Sequence, residues 1–469
     1  MTEYPSKSIN LFYQISNGNI SSTTASAKQA AVPLRIIIVG AGLGGLATSV
    51  ALARRGHRVT LLEQAKELRE VGAGIQIPPN SARLLHNWGI DPFFDGHVVE
   101  PESMTFRRWS DGEPIGFTRL IPDFPNNFGA PYYVVHRADF HSALCRLATS
   151  YGVKIVTNTK VEQYNVAQKS VKSNDGRTFT GDLIVAADGV KSKARDVVAG
   201  NNSLRPQPTG FAAYRAVVDT ETMRQDADTA LLLEKPSINI WIGEGRHVMT
   251  YSIAGGKTFN LVLSHVDRND PSTWKLEDTV GDMLQHFKDW DPRLTKLIRM
   301  IKSSTKWALL SGSPLPTWLS KNHSLVILGD AAHAMVPYMS QGAAMAVEDG
   351  AALAEVLSLI ASPDDISHAL EVFEKERMQR SYGMQSASLV NGKLWHFPDG
   401  PEQRARDAGM RAEVEGKYFL ESTNQWSDPT TQRWAYGYDA ELAVRSAWAA
   451  TQGNPKMAVA ATINGRIHM

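Results

Sequence analysis

The stretch LRIIIVGAGLGGLA, residues 34–47, contains glycines whose spacing predicts chemistry. Gly40, Gly42 and Gly45 form a G-x-G-x-x-G pattern directly after an apolar run. In such a loop the first glycine permits a tight turn, the second lets the backbone approach a pyrophosphate, and the third lets helix and strand pack closely. Glu63 follows at the end of the next predicted strand, where its carboxylate can accept hydrogen bonds from ribose hydroxyls. The pattern predicts a dinucleotide site.

Two further stretches place an aspartate directly after a predicted buried strand. Asp188 lies in AADGVKSKAR, and Asp330 lies in LGDAAHAM. A carboxylate at the carboxyl end of a strand suits ribityl or ribose hydroxyls. A transiently bound nicotinamide cofactor needs only one nucleotide-binding half. The glycine loop and the stretches with Asp188 and Asp330 give three elements that can face phosphate or sugar, and this number favours FAD. We therefore predict FAD as the resident cofactor.

The elements that must position these residues alternate between strand and helix. RIIIVG predicts a buried strand, GLATSVALARRG a helix that ends at Gly56, and HRVTLLEQ a second strand. This β-α-β unit has the size of a mononucleotide-binding half. The next helix, in IPPNSARLLHNWGI, is predicted to have Asn80 as its cap.

Short strands with turn residues interrupt the α/β pattern at two places. We therefore predict an α/β fold in which a Rossmann-like FAD-binding domain carries an inserted, mainly antiparallel β-sheet substrate domain and a C-terminal helical segment. The predicted ranges are a mobile N-terminal tail at 1–33, a discontinuous FAD-binding domain at 34–100, 131–205 and 318–385, a substrate domain at 101–130 and 206–317, and the helical segment at 386–469.

Composition narrows the class of protein. The 469 residues are 43% hydrophobic and 21% charged, which is typical of a globular protein. Lys plus Arg (49) nearly equal Asp plus Glu (48), so we expect no nucleic-acid partner. Arg35 and four glycines interrupt the most hydrophobic window, residues 34–53, so we also expect no integral membrane span. The one cysteine, Cys145, fits a reducing compartment, and we predict a cytoplasmic location.

The sequence lacks the patterns that mark two other kinds of active site, those of zinc hydrolases and serine hydrolases. No histidine pair has the i, i+4 spacing with an intervening carboxylate that zinc hydrolases use, so we predict no metal site. No G-x-S-x-G pattern marks a serine hydrolase.

The motifs together resemble a known family. GAGLGGLA with Glu63, HRADF, ADGVKSKAR and GDAAHAMVPYMSQGAAMAVEDGAAL, in this order, look like those of group A, single-component FAD-dependent aromatic monooxygenases of the salicylate hydroxylase type. WAYGYDAEL near the C-terminus is similar to the fungal branch of that group. The resemblance covers about residues 34 to 385. It implies a fold like that of p-hydroxybenzoate hydroxylase.

The resemblance also implies which residues face the cofactor. Gly42 and Glu63 would face the ADP half, Arg137 the pyrophosphate side, and Val161 the adenine through its backbone. Asp330 would contact the pyrophosphate and the ribityl chain. The remaining positions that it implies are Gly40, Leu43, Gly45, Gln64, Gly74, Asp188, Gly342 and Ala343. Of these, Asp188 would bridge the two domains, and the helix from Gly342 would point its N-terminus at the flavin ring.

The activity implied by the resemblance consumes NADPH or NADH and O2. The nicotinamide cofactor would dock transiently and reduce FAD. O2 would then form a flavin C4a-hydroperoxide, which transfers hydroxyl to an electron-rich ring. The partners would be a small phenolic substrate and O2, and the protein would be a monomer or a homodimer.

The first candidates for the substrate pocket lie in GFAAYRAVVD. Strand alternation places Phe211 and Arg215 on one face and Tyr214 on the other. The Tyr214 hydroxyl can contact a substrate oxygen, and Arg215 can pair bidentately with a carboxylate. Some relatives carry a histidine base four residues before this tyrosine, where this chain has Gly210.

The next strand pair, INIWIGEGRHVMTYSI, adds further candidates. His247, Met249 and Tyr251 share one strand face, and a histidine is a natural base for a phenol. Equally, His247 can be a core histidine. Pro337, by resemblance, would lie beside the flavin ring and act through backbone placement. The predicted catalytic set is Tyr214, Arg215, His247, Tyr251 and Pro337.

Three functions compete. The first is a phenol hydroxylase, with or without decarboxylation of a hydroxybenzoate. The second is a biosynthetic monooxygenase that dearomatises or epoxidises a larger polyketide or prenylated phenol. The third, of a different class, is a non-catalytic protein with the FAD fold, such as an escort factor, although the intact flavin-facing motifs disfavour it.

Overall fold

The structure is a computed structural model that describes residues 28–68, 72–200, 205–274 and 278–453. Residues 1–27 of the predicted N-terminal tail and residues 454–469 of the predicted C-terminal segment lie outside the described residues.

The strands of the described residues are β1 Arg35–Val39, β2 Arg58–Leu62, β3 Gly74–Ile77, β4 Ser103–Arg108, β5 Pro114–Arg119, β6 Tyr133–His136, β7 Lys154–Val156, β8 Val161–Asn165, β9 Ser170–Ser173, β10 Thr178–Thr180, β11 Leu183–Ala186, β12 Gln207–Asp219, β13 Ser237–Gly243, β14 Arg246–Ile253, β15 Thr258–Val266, β16 Ser304–Ser311 and β17 Leu325–Ile327.

The α-helices are α1 Leu43–Ala53, α2 Pro79–Trp88, α3 Asp123–Phe128, α4 Arg137–Ser150, α5 Ala194–Ala199, α6 Thr220–Arg224, α7 Ala227–Ala230, α8 Thr279–His286, α9 Pro292–Arg299, α10 Asp330–His333, α11 Gly342–Leu357, α12 Ile366–Trp395, α13 Pro401–Val414, α14 Pro429–Tyr436 and α15 Ala440–Thr451.

A five-stranded parallel sheet forms the nucleotide-binding half. Its order is β17-β11-β1-β2-β7, and each neighbouring pair is parallel. The apolar residues of β1 and β11 are buried in one core with apolar residues of α1, α4 and α11 and with Val161 of β8 and Val171 of β9. Helix α1 packs closely on α11, where a Cβ at Gly350 would lie 2.8 Å from the Thr48 Cα.

A seven-stranded sheet stands beside it in the order β16-β12-β15-β14-β13-β4-β5. All its neighbours are antiparallel except β13 and β4. Strands β4 and β5 come from the first interruption of the α/β pattern, and the other five from the second. The predicted fold class is confirmed, because a Rossmann-like parallel sheet carries an inserted, mainly antiparallel one, and helices follow toward the C-terminus.

Two details differ from the sequence expectations. Helix α2 begins at Pro79, which suits the first helical position, so Asn80 lies inside the first turn and is not the cap. Helix α12 continues through residues 385 and 386, the predicted start of the C-terminal segment, because no proline interrupts it before Trp395.

The seven-stranded sheet separates two buried clusters. One face, with Ala213, Met249 and Tyr251, packs with Tyr338 and Trp395. The opposite face, including Tyr214, Trp241 and Leu263, packs on helices α8 and α9. Across the described ranges, no helix combines the length and apolar character needed to cross a membrane.

Candidate functional site

The loop between β1 and α1 needs glycine for two physical reasons. Gly40 has φ +101°, and a Cβ there would lie 2.4 Å from the Ala187 carbonyl oxygen. A Cβ at Gly45 would lie 1.9 Å from the Gly40 carbonyl oxygen. Gly42 differs, because a Cβ there would meet no atom within 4 Å. The loop is thus closely packed on its inner side and open at Gly42.

Glu63 holds this loop from the end of β2. Its Oε2 accepts a hydrogen bond from the Ala41 N–H, and its Oε1 accepts one from the Ala65 N–H, each at 2.8 Å. The carboxylate therefore shapes the loop in addition to lining the space outside it.

Two cavities meet at Gly42, Ala187 and Gly189. The first, of about 450 Å³, lies along the glycine loop and the end of β2, and is called the loop cavity. The second, of about 320 Å³, lies between β12, β14 and residues 335–343, and is called the sheet cavity. Because they share these three lining residues, the two cavities lie side by side and together extend from the nucleotide-binding half to the seven-stranded sheet.

Most of the predicted site residues line this space. Those at the loop cavity are Gly40, Gly42, Glu63, Gln64, Val161 and Asp188. Those at the sheet cavity are Gly42, Leu43, Gly74, Arg137, Arg215, His247, Tyr251, Asp330, Pro337, Gly342 and Ala343. Gly45 lines neither cavity and acts through the close packing described above.

Tyr214 is the one predicted catalytic residue that the structure places elsewhere. Its hydroxyl donates to Asp282 Oδ2 at 3.4 Å, and its ring stacks on His265 with centroids 4.9 Å apart. Strand alternation turns Tyr214 to the face opposite Arg215, away from the sheet cavity. The predicted contact of Tyr214 with a substrate is therefore wrong.

Arg215 brings positive charge to the sheet cavity. It has no hydrogen bond or ion pair with any residue that the structure describes. Burial lowers the pKa of its guanidinium, Tyr251 raises that pKa, and Arg137 lowers it again. A half-buried guanidinium without an anionic partner is suited to an anionic ligand, because it can donate paired hydrogen bonds to a carboxylate.

His247 lines the sheet cavity through a strand position that is 3% exposed. Its Nδ1 lies 2.9 Å from Nε2 of His396, so one ring donates a hydrogen bond to the other. Burial, followed by the neighbouring His396, lowers the pKa of His247 well below its ordinary value. His247 is therefore neutral at neutral pH, with one ring nitrogen that carries a proton and one that can accept a hydrogen bond.

Tyr251 completes the polar wall of the sheet cavity. A Cβ at Gly74 would lie 2.4 Å from the Tyr251 ring, which explains why glycine is needed there. Asn260 Oδ1 accepts the Gly74 N–H at 2.6 Å and holds the strand against this ring. Burial raises the pKa of Tyr251, so its hydroxyl keeps its proton and can donate a hydrogen bond.

A buried ion network holds the loop that carries Asp330. Asp349 Oδ2 accepts the Gly329 N–H at 3.0 Å and pairs with His333 Nε2 at 2.6 Å, while Arg377 Nε donates to Asp349 Oδ1 at 2.8 Å. Burial raises the pKa of Asp349, but the charges of His333 and Arg377 outweigh burial and lower it to about 2.

The neighbouring carboxylate, Glu348, joins the same network to α2 and α12. It accepts hydrogen bonds from Asn80 Nδ2 at 2.7 Å and from Arg377 Nη1 at 2.7 Å. Sequence reasoning missed this network and His396. The adjacent charged pair Glu348–Asp349 inside α11, whose other residues except Glu355 are apolar or glycine, was the available signal.

The residues around the joined cavities fit FAD. Asp188 Oδ1 is buried and has no hydrogen-bond partner among the described residues, although Asp188 lines the loop cavity, so this acceptor suits a ribose hydroxyl. Helices α1 and α11 both begin at the cavity without a side-chain cap and offer N–H groups to negative charge. The fold and the site together define a flavin-dependent class of protein.

Comparisons with known proteins identify the family. The model of the FAD binding domain family matches residues 34–388. The chain is 34% identical to "FAD-dependent monooxygenase OpS4" of Beauveria bassiana (strain ARSEF 2860), covering 90% of this chain and 98% of that protein. It is 35% identical to "3-hydroxybenzoate 6-hydroxylase 1" of Aquipseudomonas alcaligenes, covering 86% and 97%. The chain belongs to the FAD binding domain family and is an FAD-dependent monooxygenase.

A solved structure agrees with this assignment. "Salicylate hydroxylase substrate complex" matches with a TM-score of 0.70 and 27% identity, covering 88% of this chain and 98% of that chain. The resemblance to the salicylate hydroxylase type, the enzyme class and the FAD cofactor are thereby confirmed, and an NAD(P)H reductant is typical of this class.

Proposed function

We propose that the protein hydroxylates a small phenolic carboxylate bound in the sheet cavity. The observation that carries this proposal is Arg215, a positive side chain without a described partner, beside His247 and Tyr251 on the same wall. Two relatives whose names state hydroxybenzoate chemistry support the substrate class, namely "3-hydroxybenzoate 6-hydroxylase 1" and "3-amino-4-hydroxybenzoate 2-monooxygenase PtmB3" of Streptomyces platensis.

The loop cavity and its junction with the sheet cavity would hold FAD, which supplies activated oxygen to the ring of the substrate. The glycine loop would admit the pyrophosphate at Gly42, where a Cβ meets no atom, and Asp188 Oδ1, which has no described partner, would accept a ribose hydroxyl. The N-terminus of α11 would stabilise negative charge on the flavin ring. The remaining residues proposed for the cofactor are Gly40, Leu43, Gly45, Glu63, Gln64, Gly74, Arg137, Val161, Asp330, Gly342 and Ala343.

The residues of the sheet cavity bind and activate the substrate. Arg215 donates paired hydrogen bonds to its carboxylate. His247 accepts the phenolic proton at Nε2, since Nδ1 already bonds to His396. Tyr251 donates a hydrogen bond to a substrate oxygen, and the backbone of Pro337 would lie beside the flavin ring. The apolar side chains of Met249 and Val262 exclude water from the reacting atoms.

The experiment is a substrate screen on the purified holoenzyme. The protein should be yellow, and salicylate, 3-hydroxybenzoate and 4-hydroxybenzoate should be compared with phenol, catechol and resorcinol for stimulated oxidation of NADH and NADPH. We expect stimulation by at least one carboxylate and a product heavier by one oxygen. A product that has also lost carbon dioxide would establish decarboxylative hydroxylation.

Other results of the screen would overturn the proposal. Colourless protein, or yellow protein that no phenol stimulates, would exclude phenol hydroxylation. Stimulation only by larger resorcylic phenols without a carboxylate would favour the biosynthetic alternative. We further propose that the protein is cytoplasmic and is a monomer or a homodimer. Measuring the size of the purified protein in solution tests the oligomeric state.

A further inference from the structure

The hydrogen bond between His247 and His396 connects the sheet cavity to the C-terminal end of α12. His247 Nδ1 and His396 Nε2 lie 2.9 Å apart, and the two rings are nearly parallel at 24°. Among the described residues that line the sheet cavity, His247 provides the only imidazole. His247 itself is buried, whereas His396 is half-buried.

Packing fixes both rings in this arrangement. His396 stacks on Phe211 with centroids 4.9 Å apart, and His247 meets the edges of Tyr338 and Trp395. Each of these aromatic contacts leaves the ring nitrogens free to exchange protons with each other. The pair is therefore held without any carboxylate between the two rings.

The charged and titratable groups that face the pair keep both rings neutral. Burial and the positive charge of Arg406 on α13 lower the pKa of His396 to about 3. Tyr338 faces both rings from the turn at 337–339, and burial raises the pKa of its hydroxyl, so it stays uncharged. Both rings are therefore neutral at neutral pH, so each has one nitrogen that carries a proton and one that can accept a proton.

Arg406 also fixes the end of α12. Its Nη1 donates to the carbonyls of Leu394 and Trp395 at 2.8 and 3.4 Å, and its Nη2 pairs with Asp407 at 2.7 Å. The Gly245 N–H donates to the His396 carbonyl at 3.2 Å, which ties the helix end to the turn before β14. His396 is thus positioned from three elements of the fold.

We propose that His396 is a positioning and relay residue that carries the phenolic proton from His247 toward solvent. The inference rests on the proposed function, since it needs a phenol in the sheet cavity. The substrate O–H bond breaks as an N–H bond forms at His247 Nε2. The proton on His247 Nδ1 passes to His396 Nε2, and His396 releases the proton on Nδ1 to water. The net result is phenolate and one proton in solvent, with no change in oxidation state.

The test measures phenolate formation when 3-hydroxybenzoate binds the oxidised, FAD-loaded protein. Stopped-flow absorbance follows the phenolate, and a pH indicator dye follows the released proton. The variant His396→Gln keeps a side chain that can bond to His247 Nδ1 but cannot pass a proton through its ring. We expect phenolate formation and proton release about 10- to 100-fold slower at pH 7.

Two comparisons separate a relay from a structural role. In His396→Gln, the rate of phenolate formation should fall less for a ring-fluorinated 3-hydroxybenzoate, because its phenol is more acidic. The difference in rate from the wild type should also decrease as the pH rises toward the pKa of the phenol. His286→Phe replaces the last residue of α8, which packs on the opposite face of the sheet against His265, and should leave both rates unchanged. FAD content and thermal unfolding identify any variant that fails to fold.

The outcomes distinguish this inference from the proposed function. If His396→Gln forms phenolate at the wild-type rate with an unchanged pH profile while phenol still stimulates NAD(P)H oxidation, the relay is overturned and the hydroxylase stands. If no phenol stimulates the wild-type protein, the proposed function fails and the relay fails with it. A loss of rate in His396→Ala that added imidazole restores would support the relay independently of side-chain packing.

Discussion

The two faces of the seven-stranded sheet carry similar residues in different surroundings. On one face Arg215 and His247 reach the sheet cavity. On the other, Tyr214 stacks on His265, whose ring centroid lies 4.0 Å from that of His286. Arg215 and Tyr214 are adjacent in sequence, so one step along β12 separates a cavity wall from a closed core.

Access to the cavity, rather than residue type, distinguishes His247 from His265. Both His247 and His265 are buried, and burial lowers both pKa values. Both ring nitrogens of His265 are enclosed without a hydrogen-bond partner among the described residues. His247 has one nitrogen on His396 and the other available to the cavity. Only His247 can exchange a proton with a ligand.

The largest expected effect follows from replacing these histidines in parallel. His247→Phe removes the proposed base, and general-base catalysis typically contributes about 10²- to 10⁴-fold, so kcat at pH 7 should fall within that range. His265→Phe should retain the wild-type kcat, because the ring is enclosed on the other face. Steady-state oxidation of NAD(P)H with 3-hydroxybenzoate measures both.

FAD absorbance of each variant serves as the control for folding. Equal losses of kcat in the two variants would contradict the assignment of the proton acceptor to the cavity face. A loss confined to His247→Phe that recovers at high pH would sharpen it, since the phenol then ionises without a base.

A smaller effect is expected from the adjacent pair on β12. Arg215→Met removes the proposed partner of the substrate carboxylate, and a hydrogen bond to a charged group is worth about 1.5–3 kcal/mol, so KM for 3-hydroxybenzoate should rise about 10- to 100-fold. Tyr214→Phe, on the closed face, should leave KM unchanged. Steady-state kinetics at saturating NAD(P)H checks this.

A phenol without a carboxylate provides the internal control. Its KM should respond little to Arg215→Met, because it offers no anion to the guanidinium. The KM of Arg215→Lys for 3-hydroxybenzoate should lie between that of the wild type and that of Arg215→Met, because lysine keeps the positive charge but cannot donate paired hydrogen bonds. A uniform rise of KM for both kinds of phenol would argue against a carboxylate clamp.

The nucleotide-binding half could be predicted because its constraints are local. Glycine is required at positions 40 and 45 because a Cβ there would clash with nearby backbone. These contacts follow from the strand-loop-helix geometry, which consecutive residues determine. Asn80 shows the limit of local rules. Its residue type favours a cap, but Pro79 starts the helix one position earlier and its amide binds Glu348 from a distant helix.

The sheet cavity could be predicted only in part. Alternation correctly grouped His247 and Tyr251, and it correctly separated Arg215 from Tyr214, but it cannot tell which face of a strand meets the cavity. His396 lies 149 residues from His247, so no periodic pattern in the sequence links them. The pairing appears only once the end of α12 is packed against β14.

The smallest expected effect concerns stability in acid, where the two faces should behave alike. His265 has an ordinary pKa of 6.5 when unfolded and about 3 when folded, because burial and the charges of His286 and Lys306 disfavour its protonated form. Between these values the unfolded chain binds a proton that the folded chain does not, so stability falls as pH decreases from about 6.5. Each such histidine contributes about 1.4 kcal/mol per pH unit.

Urea unfolding of the holoenzyme at pH 5, 6 and 7 measures this dependence. In both His265→Phe and His247→Phe, the free energy of unfolding should depend less steeply on pH, by up to about 1.4 kcal/mol per pH unit. Only His247→Phe should lose activity. A flattened slope in one variant alone would show that the two rings differ in protonation as well as in access. Equal flattening with unequal activity would leave access to the sheet cavity as the property that separates the catalytic histidine from the structural one.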